Sequence, residues 1–244
     1  MCRMLGVVFQ VDFPFFALND LRELSEKGEI PGDAERGHRD GWGIVSFQNR
    51  SPLYVGRSER PAFMDPSYDS ALEGIRKLET PNILIAHARA ASQGGAKLAN
   101  THPFIAGPIV LGHNGTLYDF EPKTSAKSKG ETDSEKLALL LADRMDEKRD
   151  LGSALKSLIR EDIASHDFSA AILLVSDGTR LYGYRDFAKE DKANYYNLKV
   201  AKSKSFVAMF QETITGYEGD VSQVKKGELV SIDLDLALIR EILL

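Results

Sequence analysis

Two hydrophobic periods alternate along the chain. Residues 2–11 are mostly apolar, β-branched or aromatic, and predict a buried strand that begins almost at the terminus. Over 17–27, Leu18, Leu21 and Leu24 recur at helical spacing, and Gly28 is the expected stop. The runs 41–47 and 53–57 predict a strand pair across a polar turn, and 68–78 predicts a helix stopped by Thr80-Pro81. NILIAHAR (82–89) and PIVLGHN (108–114) are short apolar runs ending in polar residues, the pattern of central strands that deliver chemistry at their ends.

Thr132 and Glu135 form a T-x-x-E capping box, and Leu137, Leu140 and Leu141 continue it into a long amphipathic helix. A second helix is expected at about 151–164. SAAILLVS (169–176), an Asp177-Gly178 turn and RLYGYR (180–185) predict a hairpin, and strands near 198–202, 206–210 and 228–234 follow. The polar stretches 121–131 and 186–197 predict exposed loops. With no repeat and no linker, 1–244 is expected to form a single domain. Strands, two adjacent helices and more strands, without strict βαβ alternation, predict an α+β stack. It would place two antiparallel sheets face to face with helices outside.

Composition narrows the function. The 244 residues are 43% hydrophobic, enough for a sizeable core. No apolar run approaches the roughly 20 residues needed to span a bilayer, and the N-terminus lacks the pattern of a signal peptide. A net charge of -5, with basic residues scattered among acidic ones, argues against a nucleic-acid surface. The single cysteine excludes an internal disulfide and suits a reducing, cytoplasmic setting. Its position, directly after Met1, changes the picture more than its number does.

Methionine is normally trimmed before a small second residue, so the mature chain is expected to begin with Cys2. A free thiol titrates at about 8.5 and an α-amine at about 7.7–8.0, so the amine can accept the thiol proton. Nucleophile and base would then share one residue. In GHNG (112–115), the Asn114 amide and the Gly115 N–H have the chemistry of an oxyanion hole, although an ordinary Asn-Gly turn reads equally well. Arg89, at the end of a strand, could hold a carboxylate bidentately or form a surface ion pair. Ser92-Gln93-Gly94-Gly95 makes a good hinge for a closing loop. His102 fits a packed structural role or a site role, and Asp133 fits an ammonium partner or plain helix-start electrostatics.

Taken in order, M-C-R at the start, H-R-D-G-W-G-I (38–44), H-A-R-A (87–90), N-T-H-P-F (100–104), G-H-N-G (112–115) and T-D-S-E (132–135) resemble the class II glutamine amidotransferases, a branch of the N-terminal-nucleophile hydrolases. The opening M-C-R-x-L-G and the D-G-W-G most resemble the small stand-alone, YafJ-like members. These motifs cover about half the chain, from Cys2 to Glu135. The resemblance implies a four-layer αββα sandwich and cleavage of a γ-glutamyl amide through a thioester on Cys2. It implies an oxyanion hole of Asn114 and Gly115. Arg89 would lie on the substrate α-carboxylate, Asp133 on its α-ammonium, and 90–98 would act as a lid over a pocket to which Ser92 and His102 also belong. No cofactor is implied. The substrate would be L-glutamine or a γ-glutamyl compound, and with no synthase domain following, an ammonia acceptor would lie on a separate partner.

The lid departs from the amino-sugar members: Ala90, Ala91, Ser92 and Gln93 stand where those carry tryptophan, alanine, threonine and often histidine. The group attached to the γ-glutamyl unit is therefore left open, and a γ-glutamyl peptide or conjugate is the alternative substrate. Two rival classes were weighed. A metal hydrolase built from His87, His102, His113 and Asp40 lacks ligand spacing. A silent regulatory relative would be expected to have lost one of Cys2, Arg89, Asn114, Gly115 and Asp133, and all five are present.

Overall fold

The computed structural model describes residues 2–30, 36–92 and 94–244; Met1, whose removal is expected above, and the lid residue Gln93 lie outside them. The first strand is β1 (Arg3–Phe9), every residue of it buried. It is followed by α1 (Phe15–Lys27), β2 (Trp42–Gln48), β3 (Ser51–Ser58), α2 (Pro66–Ile75) and β4 (Asn82–Ala88). The chain continues through β5 (Phe104–Ala106), β6 (Ile109–Leu117), α3 (Asp133–Lys148) and α4 (Leu151–Ser157), which runs on through irregular helical turns to Ser165. The strands β7 (Phe168–Ser176), β8 (Arg180–Phe187), β9 (Lys199–Lys202), β10 (Phe206–Phe210), β11 (Val221–Gln223), β12 (Glu228–Asp233) and β13 (Leu238–Ile242) complete it.

The strands form two antiparallel sheets, ordered β11-β9-β10-β1-β4-β2-β3 and β13-β12-β8-β7-β6-β5. Side chains alternate between faces along each strand, and this alternation makes the layers. Met4 and Val8 of β1 pack with Ile83 and Ile85 of β4 against Val110, Ile172 and Leu174 of the other sheet, forming the inter-sheet core. The alternate residues Leu5, Val7, Phe9, Leu84 and Ala86 face outward under Leu18, Leu21, Tyr68 and Ile75 of α1 and α2. On the opposite outer face, Leu111, Leu173 and Val175 pack under Leu137, Leu141, Ala154 and Leu155 of α3 and α4. The result is the αββα sandwich, an α+β fold as expected.

Three expectations need correction. The helix expected over 68–78 is α2, which starts at Pro66 behind an Asp65 cap and ends at Ile75, five residues before Thr80. GHNG is no turn after a strand: β6 continues to Leu117, with a bulge between Gly115 and Leu117. The segment 186–197 is only partly an exposed loop, because Tyr195, Tyr196 and Asn197 are buried. The guanidinium of Arg185 donates to the carbonyls of Ala193, Tyr196 and Val224, supplying partners the folded-in backbone would otherwise lack. The stretch 121–131, by contrast, lies mostly at the surface.

Candidate active site

Cys2 lies just before β1, on the strand face that looks between the sheets. It is buried at 7% exposure. Behind it the backbone is fixed from both sides. Asn114 Oδ1 accepts from Cys2 N at 2.9 Å, and Asn114 Nδ2 donates to Cys2 O at 2.9 Å. That orientation of the amide follows from a relay. Gln211 Nε2 donates to the Asn197 carbonyl at 3.0 Å, so Gln211 Oε1 is turned to accept from Asn114 Nδ2 at 3.1 Å. Arg3 is fully buried, donates to Cys2 O at 3.1 Å, pairs with Glu212 and stacks 3.9 Å above the Tyr195 ring. A salt bridge so placed is costly to break, because one partner would be left charged and dry. Arg3, Asn197, Gln211 and Glu212 escaped the sequence reading. They come from chain segments up to 209 residues apart, and no local pattern marks them.

The H-R-D-G-W-G segment positions the far end of β4. Asp40 N donates to Arg89 O and Arg89 N to Gly41 O, extending the ladder past Ala88. Asp40 Oδ2 accepts from Ala91 N at 2.7 Å, fixing the first residues of the lid. Trp42 anchors the motif from beneath, with Nε1 donating to Asp65 Oδ2 at 3.1 Å and its ring edge-on to Tyr68. Arg89 itself is buried, and its Nη1 donates to the lid carbonyl of Gly95 at 2.5 Å. Asn100 ties the other side of the lid, bonding Gly94 O and Glu131.

On β6, successive residues alternate between the two layers. Asn114 reaches toward Cys2, while His113 turns to α3, its Nδ1 at 2.9 Å from Ser134 Oγ. Burial lowers the His113 pKa, against the pull of Asp133, so its imidazole is held neutral. The capping box forms with one variation. Thr132 Oγ1 accepts from Glu135 N, but the Glu135 carboxylate reaches further back, to the N–H groups of Lys129 and Gly130. Asp133, at the first helical position, is left to accept from Leu117 N at 2.7 Å while facing the cavity.

Cys2, Arg89, Ala90, Ser92, His102, His113, Gly115 and Asp133 line one cleft with about 310 Å³ of space open to solvent, beside the start of α3 at Thr132 to Ser134. All the residues singled out from sequence are therefore brought together except Asn114, which stands behind Cys2 and fixes it. Ser92 Oγ lies 3.2 Å from Thr116 Oγ1. His102 stacks flat on His87, with ring centroids 4.3 Å apart and 10° between the planes, and its edge meets Phe104. Burial first, then the charges of His87 and Arg89, drives the His102 pKa well below its ordinary value. It serves as a neutral aromatic wall. Among the described residues, no three His, Cys, Asp or Glu groups are arranged to hold a metal ion, so the donor set for the metal alternative does not converge.

Burial pushes the Cys2 thiol up, but the neighbouring His87, the chain-terminal charge and a backbone hydrogen bond at Ala90 outweigh it. The thiol is brought down to about 6. It therefore gains its negative charge as the pH rises through about 6, well below the value of about 8.5 for a free cysteine.

Gly115 adopts φ +149°, and a Cβ there would lie 1.8 Å from the Ala170 carbonyl oxygen. No side-chain rearrangement relieves a clash with backbone. Gly115→Ala is expected to lose about 1–3 kcal/mol, lowering the unfolding midpoint by roughly 2–12 °C for a chain of this size. An unchanged thermal unfolding curve would mean that the bulge tolerates a side chain.

Comparison with known proteins gives a consistent result. The family model for class-II glutamine amidotransferases matches residues 1–202. An uncharacterized protein of Methanocaldococcus jannaschii is 27% identical over 93% of this chain and 62% of its own length. A Haemophilus influenzae protein named provisionally as a glutamine amidotransferase is 30% identical over 62% of this chain and 48% of its own. The chain thus spans less than two thirds of these relatives. Among solved structures, a glutamine aminotransferase class-II domain protein from Silicibacter pomeroyi superposes with a TM-score of 0.61 at 19% identity, covering 99% of both chains, a likeness of fold. Among the described residues, no helix is long and apolar enough to cross a membrane.

Proposed function

The chain belongs to the class II glutamine amidotransferases, and from that premise we propose that it cleaves the γ-glutamyl amide bond of a glutamine-like substrate through a thioester on Cys2. The observation that carries this reading is the opposed pair of charges in one small cavity. Arg89 and Asp133 both line the pocket that Cys2 opens into. A guanidinium suits an α-carboxylate, a carboxylate suits an α-ammonium, and a nucleophile in the same cavity suits the δ-carbonyl of the amino acid so held.

In this mechanism Cys2 Sγ attacks the δ-carbon, and the oxyanion is stabilised by the Gly115 N–H and Asn114 Nδ2. Asn114 already commits its two amide hydrogens to Cys2 O and Gln211 Oε1. Donation to the oxyanion therefore replaces the bond to the Cys2 carbonyl, which keeps Arg3 as a partner. The amine leaves with a proton, and water or another acceptor resolves the thioester to release glutamate. Residues 1–244 act as one amidotransferase domain in a reducing cytoplasm, and a synthase partner would receive ammonia if ammonia is the useful product.

Intact mass of the untagged protein, with and without a glutamine-mimicking diazoketone, tests the reading. Loss of Met1 and one adduct on Cys2, blocked by excess L-glutamine, is the expected result. No adduct, together with no glutamate released from glutamine or from a panel of γ-glutamyl amides and peptides, would overturn it. Release from the conjugates alone would move the substrate to that class. Arg89→Lys is expected to raise KM roughly 10- to 150-fold, the equivalent of losing a charge-assisted bond worth about 1.5–3 kcal/mol, with kcat much less affected. An unchanged KM would remove Arg89 from substrate recognition.

A further inference from the structure

We infer that His87 is a second proton acceptor for the Cys2 thiol, held in the accepting tautomer by the His113 carbonyl, so that the nucleophile ionises through an imidazole as well as through its own α-amine. The inference rests on the reading of Cys2 as nucleophile and adds a residue that the reaction above does not use.

The argument begins with strand register. Arg3 pairs with Ala88 and Met4 with His87 across the antiparallel ladder of β1 and β4. Cys2 continues that strand by one residue, which makes His87 its diagonal neighbour on the same, inter-sheet face. The other wall confirms the orientation: a Cβ on Gly112 of β6 would touch both Met4 Sδ and His87 Cδ2. His87 is completely buried.

Its two nitrogens are unlike. Nε2 lies 3.2 Å from the His113 carbonyl oxygen. A carbonyl only accepts, so Nε2 carries the hydrogen, and in the neutral ring Nδ1 is then a bare lone pair. Nδ1 is buried and makes no hydrogen bond among the described residues. The Cys2 thiol, the diagonal neighbour on the same face, interacts electrostatically with His87 and is the group placed to reach it. A buried polar atom without a partner costs free energy, and an ionised pair of imidazolium and thiolate satisfies it.

The surroundings favour His87 over the other imidazoles. The charged and titratable groups around it are Cys2 just before β1, Arg89 just after β4, His102 against its face, and His113 on β6 with Asp133 beyond. His102 and His113 are both held toward the neutral form by burial, so neither competes for the proton. Arg89 interacts favourably with the Cys2 charge and so helps to hold a thiolate.

The proton balance is simple. The S–H bond breaks and an Nδ1–H bond forms, giving thiolate and an imidazolium that donates from both nitrogens. The thiolate adds to the δ-carbonyl, and when the tetrahedral species collapses the leaving amine takes the proton from Nδ1. Neutral His87, neutral amine and the thioester remain.

The test needs no substrate, so it is independent of whether γ-glutamyl hydrolysis is the true activity. The rate of iodoacetamide alkylation of Cys2 is measured against pH for the wild type and for His87→Gln. Glutamine can keep a donor toward the His113 carbonyl but has no basic nitrogen. The wild-type midpoint is expected near pH 6. In the variant it is expected to move up at least two pH units, toward or past the ordinary cysteine value of about 8.5. The thiolate fraction at pH 6.5 would then fall from about three quarters to about one hundredth. A midpoint within 0.3 units of the wild type would overturn the inference. So would a low wild-type midpoint found only after Met1 is removed, because the amine alone would then explain it. If the variant does not fold, nitrogen NMR of the wild type decides: Nδ1 of His87 must carry a hydrogen near neutral pH while Cys2 is a thiolate, and a bare Nδ1 there would overturn the inference.

Discussion

Replacing Cys2 with alanine is expected to reduce turnover by at least about 10⁴-fold, the scale seen when an enzyme loses its covalent nucleophile, while the fold survives. Two features of the site set these expectations apart. The thiol, brought down to about 6, is mostly thiolate at neutral pH, so the attacking species is present before substrate arrives. Alanine offers nothing in its place. The anchoring bonds, however, run to the Cys2 backbone nitrogen and carbonyl and not to its sulfur. The sulfur's hydrogen bond to a carbonyl is a long one, 3.8 Å to Ala90 O. Steady-state glutamate release and thermal unfolding, measured on the same preparation, check both halves. Residual activity within tenfold of wild type would sink the nucleophile assignment.

The second large effect is expected at Asn114. Its alanine variant should lose roughly 10²–10³ in kcat, the usual cost of one oxyanion donor. Stability should fall too, in contrast with Cys2→Ala, because truncation strands the Gln211 carbonyl oxygen and two backbone groups of Cys2 in a buried setting. A buried unsatisfied group costs about 1–3 kcal/mol. The midpoint of chemical denaturation and kcat should therefore both drop. A kcat within threefold of wild type would reduce Asn114 to a structural strut.

How far the site could be read from sequence follows from where each residue's information lies. Cys2, Arg89 and Asp133 sit where a strand or helix begins or ends, and those boundaries are visible in the hydrophobic pattern, whereas the bulge at Gly115 is not. The capping box at Thr132 exposed the start of α3, and with it Asp133. Arg3 and Gln211 carried no such signal. One sits inside an apolar strand start and the other just after Phe210, and only the pairing of β1 with β10 brings them together. His87 was legible as a residue but not as a role, because its tautomer is set by a carbonyl 26 positions away. The fold shows the same division. The long strands were plain, whereas β5 and β11 are three residues each, too short for any period. In β13, Arg240 and Glu241 interrupt the apolar run and pair with Glu228 and Lys156.

The two sheets also supply different halves of the proposed site. Cys2, His87 and Arg89 belong to the seven-stranded sheet, and Asn114 and Gly115 to the six-stranded one. The chain from β4 to β5 joins the halves beside the site as a loop, which leaves their spacing to be set by packing. The apolar layer between the sheets sets it, so each methyl group there acts as a shim in the alignment of the reacting atoms. Substitutions at Val8 or Ile172, remote in role from any substrate, thereby become ways of tuning catalysis. The site is a vernier between two rulers, and it reads out slippage that neither sheet registers on its own.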